Sequence, residues 1–300
     1  MDRRTAIKLS AGLPFAGAAA AQNMVPNGKP FNLAFAPHGG MFKHHAGEDI
    51  LDQIQWSAEM GFSAWEDNGM PGRDVSTQAK IGGLLAKHNM QMGVFVANKI
   101  YWKEPSLVLG AGKFREEFLQ SMHQAVEVAK RCNAKWTTVV PGHVALGLEP
   151  MYQFANVVET LRQGAAILEP HGLVMVLEPL NFRDHPGLFL TKAAQAYAIC
   201  KAVDSPSCKI LYDVYHQQIQ EGNLIPNIDA AWEEIAYFQL GDNPGRKEPT
   251  TGEINYANVL KHIHSKGFTG VYGMEHGNSE EKKAGELKVI EAYRAVDVRG

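Results

Sequence analysis

The chain repeats one pattern eight times: a short run of apolar, often β-branched or aromatic residues is followed by a longer amphipathic segment. Several of the short runs, such as residues 138–140 and 174–177, are almost continuously apolar, which is typical of parallel strands covered on both faces. Eight such units within 300 residues predict an α/β protein with a single closed (β/α)8 barrel rather than an open sheet.

The bounds of the predicted elements follow from the same pattern. The predicted strands cover residues 31–35, 63–66, 91–96, 136–140, 174–178, 209–213, 236–240 and 270–275. The predicted helices cover residues 49–60, 76–88, 113–131, 150–169, 191–203, 225–234, 256–266 and 279–296. Within the third helix, Phe118, Met122 and Ala125 fall at the three- and four-residue steps of one buried helix face.

The turns that lead from helix to strand indicate which end of the barrel carries function. Gly61, Gly172 and Gly267 each follow a predicted helix, where a left-handed residue ends a helix at little cost. Asn89 and Asn133 occupy equivalent places, and asparagine tolerates that conformation better than most residues. These turns mark the end of the barrel that serves stability, so we expect function at the opposite end, where the strands terminate.

The first 21 residues have the character of an export signal. Arg3 and Arg4 precede a small-residue apolar stretch that closes with three alanines at 19–21. Paired arginines in this position resemble the twin-arginine signal, whose route exports folded proteins, although an ordinary secretory signal would share most of these features. We therefore expect a barrel over residues 22–300, exported to the periplasm. Beyond residue 21 no apolar run reaches the roughly 20 residues that span a bilayer.

Composition limits the classes of partner. The net charge of −3 provides no basic surface for nucleic acid, so a small molecule is the expected partner, and a homo-oligomer stays open. Cys132, Cys200 and Cys208 lack the spacing of a zinc site. Free thiols are favoured for all three, with a bond between Cys200 and Cys208 as the alternative.

Four consecutive predicted strands end in side chains that carry oxygen: Glu178, Asp213, Gln239 and Glu275. Because neighbouring strands lie about 4.8 Å apart, these side chains can converge on one point. Three carboxylates gathered there would repel one another unless a cation neutralised them. Oxygen donors favour Mg2+ or Mn2+, although Co2+ or Zn2+ could also occupy the site.

Further polar residues lie at the same strand ends. His216 stands one turn beyond Asp213, where it can donate a hydrogen bond to a substrate hydroxyl group. The long segment 241–256 carries Arg246 and Glu248. We expect both to contact the substrate, because long loops at the rim of a barrel are often functional. Arg246 is suited to bind a carboxylate or hydroxyl oxygen.

Two earlier strand ends supply weaker candidates for a substrate pocket. Glu66 lies within the sequence Trp-Glu-Asp-Asn, and His143 ends the sequence Pro-Gly-His. We expect both side chains to line the pocket, with a purely structural role as the alternative for each.

Several segments resemble the hydroxypyruvate isomerase family of the xylose isomerase-like barrels. They are Leu-Glu-Pro-Leu-Asn at 177–181, Asp-Val-Tyr-His at 213–216, Pro-Gly-Arg-Lys-Glu-Pro at 244–249 and Gly-Met-Glu at 273–275. The resemblance implies metal ligation by Glu178, Asp213, Gln239 and Glu275. It also implies that Glu178 and Glu275 transfer protons, with substrate contacts from His216 and Arg246. Related ketose 3-epimerases carry histidine where Gln239 stands, which favours the isomerase branch.

The expected activity is therefore a metal-dependent isomerisation of a small hydroxy-carbonyl compound or keto-sugar, by proton transfer through an enediolate. Two other reactions use the same groups. They are ketose 3-epimerisation and the elimination or hydration of an oxidised sugar or glycoside. A periplasmic sugar-binding protein without turnover is the non-enzymatic alternative.

Overall fold

The computed structural model describes residues 28–298, so the predicted export signal at residues 1–21 lies outside the described part of the chain. The strands are Ala34–Ala36 (β1), Ala64–Trp65 (β2), Gln91–Met92 (β3), Trp136–Val139 (β4), Val174–Leu177 (β5), Cys208–Asp213 (β6), Ile235–Gln239 (β7) and Val271–Gly273 (β8). Each lies at or beside a predicted strand.

The α-helices alternate with the strands. They are Lys43–Ala46 (α1), Ile50–Glu59 (α2), Val75–Lys87 (α3), Lys113–Cys132 (α4), Pro150–Leu168 (α5), Ala193–Val203 (α6), Val214–Gln220 (α7), Leu224–Ala231 (α8), Tyr256–Ser265 (α9) and Lys282–Val296 (α10). The two short helices α1 and α7 were not predicted. Within residues 28–298, no helix combines the length and the apolar character needed to cross a membrane.

The strands form a closed parallel barrel, as the repeat predicts. Six of them pair in the order β1-β8-β7-β6-β5-β4, and β2 pairs with β3. Isolated parallel bridges join the two sheets: His38 pairs with Glu66, and both Met92 and Val96 pair with residues of the β4 segment. The (β/α)8 barrel fold is thereby confirmed.

The first strand begins later than predicted. The backbone N–H groups of Asn32 and Leu33 donate to the Asp297 carboxylate, at 2.9 and 3.1 Å respectively. They are therefore unavailable for a strand ladder, and pairing with β8 starts only at Ala34. The apolar run at 31–35 therefore has two roles. Its first part bonds to Asp297 at the end of α10, and its last part belongs to β1.

The core has two layers. The barrel interior is filled by Ala36, Ala64, Val94, Val176, Leu211, Tyr237 and Val271. A larger layer packs the outer faces of the strands against the helices, and it includes the three cysteines, all of which are buried free thiols. Because side chains fill the interior completely, substrate access is confined to the ends of the barrel.

The helix-to-strand turns adopt the predicted left-handed conformation. Gly61, Asn89, Asn133, Gly172 and Gly267 all have positive φ, between 53° and 94°. Gly61 also requires the absence of a side chain, because a Cβ atom there would lie 2.4 Å from the carbonyl oxygen of Lys29. These turns lie at the amino-terminal end of the strands, which leaves the carboxyl end free for chemistry.

Candidate active site

Strands β5 to β8 bring the four predicted ligand side chains to one end of the barrel. Asp213 and Gln239 are opposite one another in the β6–β7 ladder, and Gln239 is opposite Gly273, two residues before Glu275. Glu178, Asp213 and Gln239 are buried, with 7%, 1% and 1% of their surface exposed. The side chain of Glu275 is 26% exposed. The structure therefore gathers three carboxylates and one amide in a mostly buried cluster.

Arg246 reaches this cluster from the loop between β7 and α9. Its Nη2 atom lies 3.0 Å from Asp213 Oδ2 and 2.7 Å from Glu275 Oε2. The guanidinium also stacks 5.0 Å from the ring centroid of Tyr215. Arg246 therefore supplies a positive charge between two of the carboxylates.

A hydrogen-bond network fixes the proton of His216. The backbone N–H of Asn181 and its side-chain amide both face His216 Nδ1, at 3.3 and 2.6 Å. The Asn181 carbonyl oxygen accepts from the backbone N–H groups of Arg183 and Asp184, so the amide must present its NH2 group to the ring. Nδ1 is therefore an acceptor, and the ring proton lies on Nε2.

The His216 ring is consequently a hydrogen-bond donor that points into the cluster. Nε2 is buried without a partner among the described residues, 3.9 Å from Glu178 Oε1 and 3.7 Å from Asp213 Oδ2. Burial lowers the pKa of His216 to about 4, which keeps the ring neutral. A neutral Nε2–H group suits a contact to a substrate oxygen better than ligation of a metal.

The helix α7 explains how His216 reaches this position. Asp213 begins the helix, and its Oδ1 atom accepts a hydrogen bond from the backbone N–H of His216 at 3.1 Å. A capping aspartate stabilises the exposed N–H groups at a helix start. One carboxylate oxygen thus positions the histidine, while the other faces Arg246.

The donor set fits a hard divalent cation. Glu178, Asp213 and His216 each offer an atom such that all three lie within 4.8 Å of one another. The amide oxygen of Gln239 is buried without a partner in the described chain. With His216 Nε2 protonated, the remaining donors are oxygens, which Mg2+ and Mn2+ prefer.

The electrostatics of the cluster also favour a cation. Burial, reinforced by the charges of Glu275 and Asp213, holds the pKa of Glu178 well above its usual range. Among residues 28–298, no side chain donates a hydrogen bond within 3.5 Å to the Glu178 carboxylate, and Nε2 of the neutral His216 ring lies 3.9 Å from its Oε1 atom. A buried carboxylate without a donor is costly, and a cation would relieve that cost.

The structure places three predicted pocket residues away from the centre of the cluster. Glu66 is 1% exposed, and its carboxylate accepts from Tyr237 and Gln239, while the residue also lines the cavity beside Glu275. Both oxygens of Glu248 accept from Ser279, which ties the β7–α9 loop to the segment after β8. His143 bonds to the Val144 carbonyl and packs against Gly187.

Other residues reach the cluster without having been predicted. The Asn68 amide donates to Glu275 Oε1 at 3.1 Å, and a cavity of about 560 Å3 opens beside Glu275, lined also by His38, Gln53 and Arg73. Asn68 lies in the polar segment that follows the predicted strand 63–66. Its place at the carboxyl end of a strand could therefore have predicted it as a site residue. The contact between Asn181 and His216 could not have been predicted in this way, because the two residues are 35 positions apart.

Comparison with known proteins identifies the family. The model of the xylose isomerase-like TIM barrel family matches residues 54–295. The chain belongs to this family. Hydroxypyruvate isomerase from Escherichia coli is 32% identical over 69% of this chain and 78% of its own length. The 2-oxo-tetronate isomerase from Cupriavidus necator is 28% identical over 79% of this chain and 89% of its own length.

A solved structure supports the same assignment. AP endonuclease, family 2, from Brucella melitensis superposes with a TM-score of 0.74 at 25% identity, covering 84% of this chain and 96% of the other. The match to hydroxypyruvate isomerase also places this xylose isomerase-like barrel in the hydroxypyruvate isomerase family. It is an isomerase-type enzyme, as its relatives are named.

The charge cluster should make the stability of this barrel depend on pH. Burial above all, with the charge of Glu275, raises the pKa of Glu66 from 4.5 to about 8, and the pKa of Glu178 is also raised. The folded state then holds protons that the unfolded chain releases above about pH 4.5. The associated stabilisation is present below that pH and is lost as the pH rises toward about 8.

Below about pH 6.5 the lowered pKa values of His216 and His276 offset this effect, because the unfolded chain protonates both rings there. We therefore expect the free energy of unfolding of metal-free protein to fall between about pH 6.5 and pH 8, and Mn2+ to reduce that fall. Urea unfolding at several pH values, with chelator or with Mn2+, measures both effects. The double variant Glu66→Gln, Glu178→Gln is the control and should show a flatter profile. A flat profile for the metal-free wild type would contradict the expectation.

Proposed function

We propose that the chain is a divalent-metal-dependent isomerase of short 2-oxo acids that carry a hydroxyl group on the adjacent carbon. The observation that carries the proposal is the pair of glutamates, Glu178 and Glu275, that flank Asp213 and Gln239 in one cluster. Hydroxypyruvate and 2-oxo-tetronate, which name the substrates of the two relatives, both belong to this chemical class.

The cation would be held by Glu178, Asp213, Gln239 and Glu275. When bound, it would polarise the substrate carbonyl and stabilise negative charge on the two adjacent substrate oxygens. The protein supplies the remaining chemistry through its own side chains.

The two glutamates would move the proton. One carboxylate removes the proton from the hydroxyl-bearing carbon, which gives an enediolate, and the other carboxyl group returns a proton to the former carbonyl carbon. The proton of the hydroxyl group passes to the former carbonyl oxygen, so that the carbonyl and hydroxyl groups exchange places. Strands β6 and β7 lie between the strands that carry them, so the two groups approach the substrate from different sides.

The two glutamates have different electrostatic surroundings. Glu178 has a pKa well above its usual range because of burial and the charges of Glu275 and Asp213. Burial also raises the pKa of Glu275, but Arg246 and the Asn68 amide oppose the rise. Either glutamate can therefore be the base, and the two exchange roles between the forward and the reverse direction.

Arg246 and His216 would hold the substrate. A guanidinium binds a carboxylate through two parallel hydrogen bonds, so Arg246 is suited to the acid group of a 2-oxo acid. The Nε2–H group of His216 donates to an oxygen of the reacting carbons. With both contacts made, the substrate is held in one orientation between the two glutamates.

Solvent deuterium tests the proposed reaction. Metal-loaded protein incubated in deuterated water with hydroxypyruvate, or separately with 2-oxo-tetronate, is expected to place deuterium on the substrate carbons, as followed by proton NMR. The matched control is the double variant Glu178→Gln, Glu275→Gln, which measures uncatalysed exchange. Exchange no faster than in this control, with both substrates, would reject the proposal.

The same experiment separates the alternatives. An epimerase would incorporate deuterium into a ketose without moving the carbonyl group. A lyase acting on an oxidised sugar or glycoside would release a leaving group, which NMR also detects. A sugar-binding protein without turnover would give neither signal with any substrate.

A further inference from the structure

Glu66 lies beside the cluster and lines the cavity next to Glu275. It follows β2, on the side of the barrel opposite β6, and is 1% exposed. Its Oε1 atom accepts a hydrogen bond from Gln239 Nε2 at 2.9 Å. Its Oε2 atom accepts one from the Tyr237 hydroxyl at 2.8 Å. Both oxygens are therefore engaged by residues of β7.

This contact decides which end of the Gln239 amide faces the cluster. An amide group offers an oxygen acceptor at one end and an NH2 donor at the other, and its orientation follows from its partners. In its ionised form, which a bound cation would favour, the Glu66 carboxylate can only accept, so it draws the NH2 group of Gln239 toward itself. The Gln239 oxygen is then directed away from Glu66, and it is buried with no partner in the described chain.

Gly273, on the neighbouring strand β8, lies close to the side chains of both Glu66 and Gln239. Gly273 on β8 pairs with Gln239 in the ladder. A Cβ atom at Gly273 would lie 2.0 Å from Glu66 Oε2 and 3.0 Å from Gln239 Cγ. The absence of a side chain at position 273 therefore provides the space in which the two side chains meet.

We propose that Glu66 is a positioning residue that holds the Gln239 oxygen toward the bound cation. The inference rests on the proposed metal site and adds to it a residue that does not touch the ion. Without Glu66 the amide can rotate and present its NH2 group, which repels a cation. A carboxylate behind the amide also polarises it and makes its oxygen a stronger donor to the ion.

The test measures Mn2+ affinity directly, by titration calorimetry and by the loss of the free Mn2+ signal in electron paramagnetic resonance. Glu66→Met removes the acceptor at similar side-chain length, and Glu66→Gln removes the charge but keeps one acceptor. We expect Glu66→Met to weaken Mn2+ binding about 10- to 100-fold, the size typical of groups that orient metal ligands. Glu66→Gln should fall between Glu66→Met and the wild type.

Repeating the Glu66 substitution in Gln239→Leu protein distinguishes a role in orienting the Gln239 amide from a general loss of structure. In Gln239→Leu protein there is no amide to orient, so adding Glu66→Met should weaken Mn2+ binding by no more than about twofold further. The control is Glu286→Met, because Glu286 is a fully buried glutamate whose hydrogen bonds go to His44 and His45. This variant should lower the unfolding temperature but leave Mn2+ affinity unchanged.

The outcomes distinguish this inference from the proposed function. If Gln239→Leu weakens Mn2+ binding but neither Glu66 variant does, the positioning role is overturned while the metal site stands. Equal losses from Glu66→Met in the wild-type and Gln239→Leu backgrounds would overturn it as well. If Gln239→Leu itself has no effect on binding, the ligand set of the proposed function is wrong. If Glu66→Met does not fold, Glu66→Gln in both backgrounds decides the question.

Discussion

Replacing Glu178 or Glu275 by glutamine is expected to lower turnover by about 100-fold or more for each variant, because a group that transfers a proton in the rate-determining step contributes about that factor or more. Glutamine has nearly the same shape as glutamate but cannot take up or release the proton. Both residues lie at strand ends, outside the packed barrel interior, so the fold should be retained.

The measurement is the steady-state rate with hydroxypyruvate at saturating Mn2+, together with the circular dichroism spectrum of each variant. Saturating metal matters, because both side chains are also proposed ligands. A matched control is Glu234→Gln. Glu234 is likewise a buried glutamate, but it pairs with Lys209 at the opposite end of the barrel. Its replacement should affect stability more than turnover. Near-wild-type turnover in both the Glu178 and Glu275 variants would remove them from the mechanism.

Removing divalent metal is expected to abolish activity, and adding Mn2+ or Mg2+ back is expected to restore it. Without a cation, the buried carboxylates favour their protonated forms, and only Arg246 and the Nε2–H group of His216 remain to stabilise negative charge on the substrate. Metal should also raise the unfolding temperature, since a ligand that binds only the folded state at 100 times its Kd adds about 2.7 kcal/mol of stability.

Protein is treated with chelator and dialysed, and its activity is then measured with and without added ions. Zn2+ and Co2+ belong in the series, because either ion can occupy such a site. Ca2+ tests the size of the site, because it prefers longer bonds and more ligands than Mg2+. Full activity in protein shown by elemental analysis to contain no divalent metal would contradict the metal-dependent mechanism.

Much of the fold could be predicted because it is encoded locally. The apolar runs located all eight strands, and the left-handed residues Gly61 and Asn133 marked the turns that precede two of them. The convergence of Glu178, Asp213, Gln239 and Glu275 also followed from position, since the ends of parallel strands meet at one end of a barrel.

What the sequence did not predict depends on contacts between distant residues. The proton on His216 is placed by Asn181, and the Gln239 amide is oriented by Glu66, which lies 173 positions away. Glu248 looked like a pocket residue because it is an acid in the long loop beyond a strand end. Its hydrogen bonds instead join it to Ser279, 31 positions away, and no local sequence pattern shows that contact.

The position of bound manganese tests the central claim most directly. An anomalous difference map from crystals grown with Mn2+ is expected to show one strong peak at the carboxyl end of the barrel. Oxygens of Glu178, Asp213, Gln239 and Glu275 should surround it at about 2.0–2.6 Å, the range of ionic metal–oxygen bonds. A map with full Mn2+ occupancy elsewhere, or with these four side chains directed away from the ion, would contradict the account.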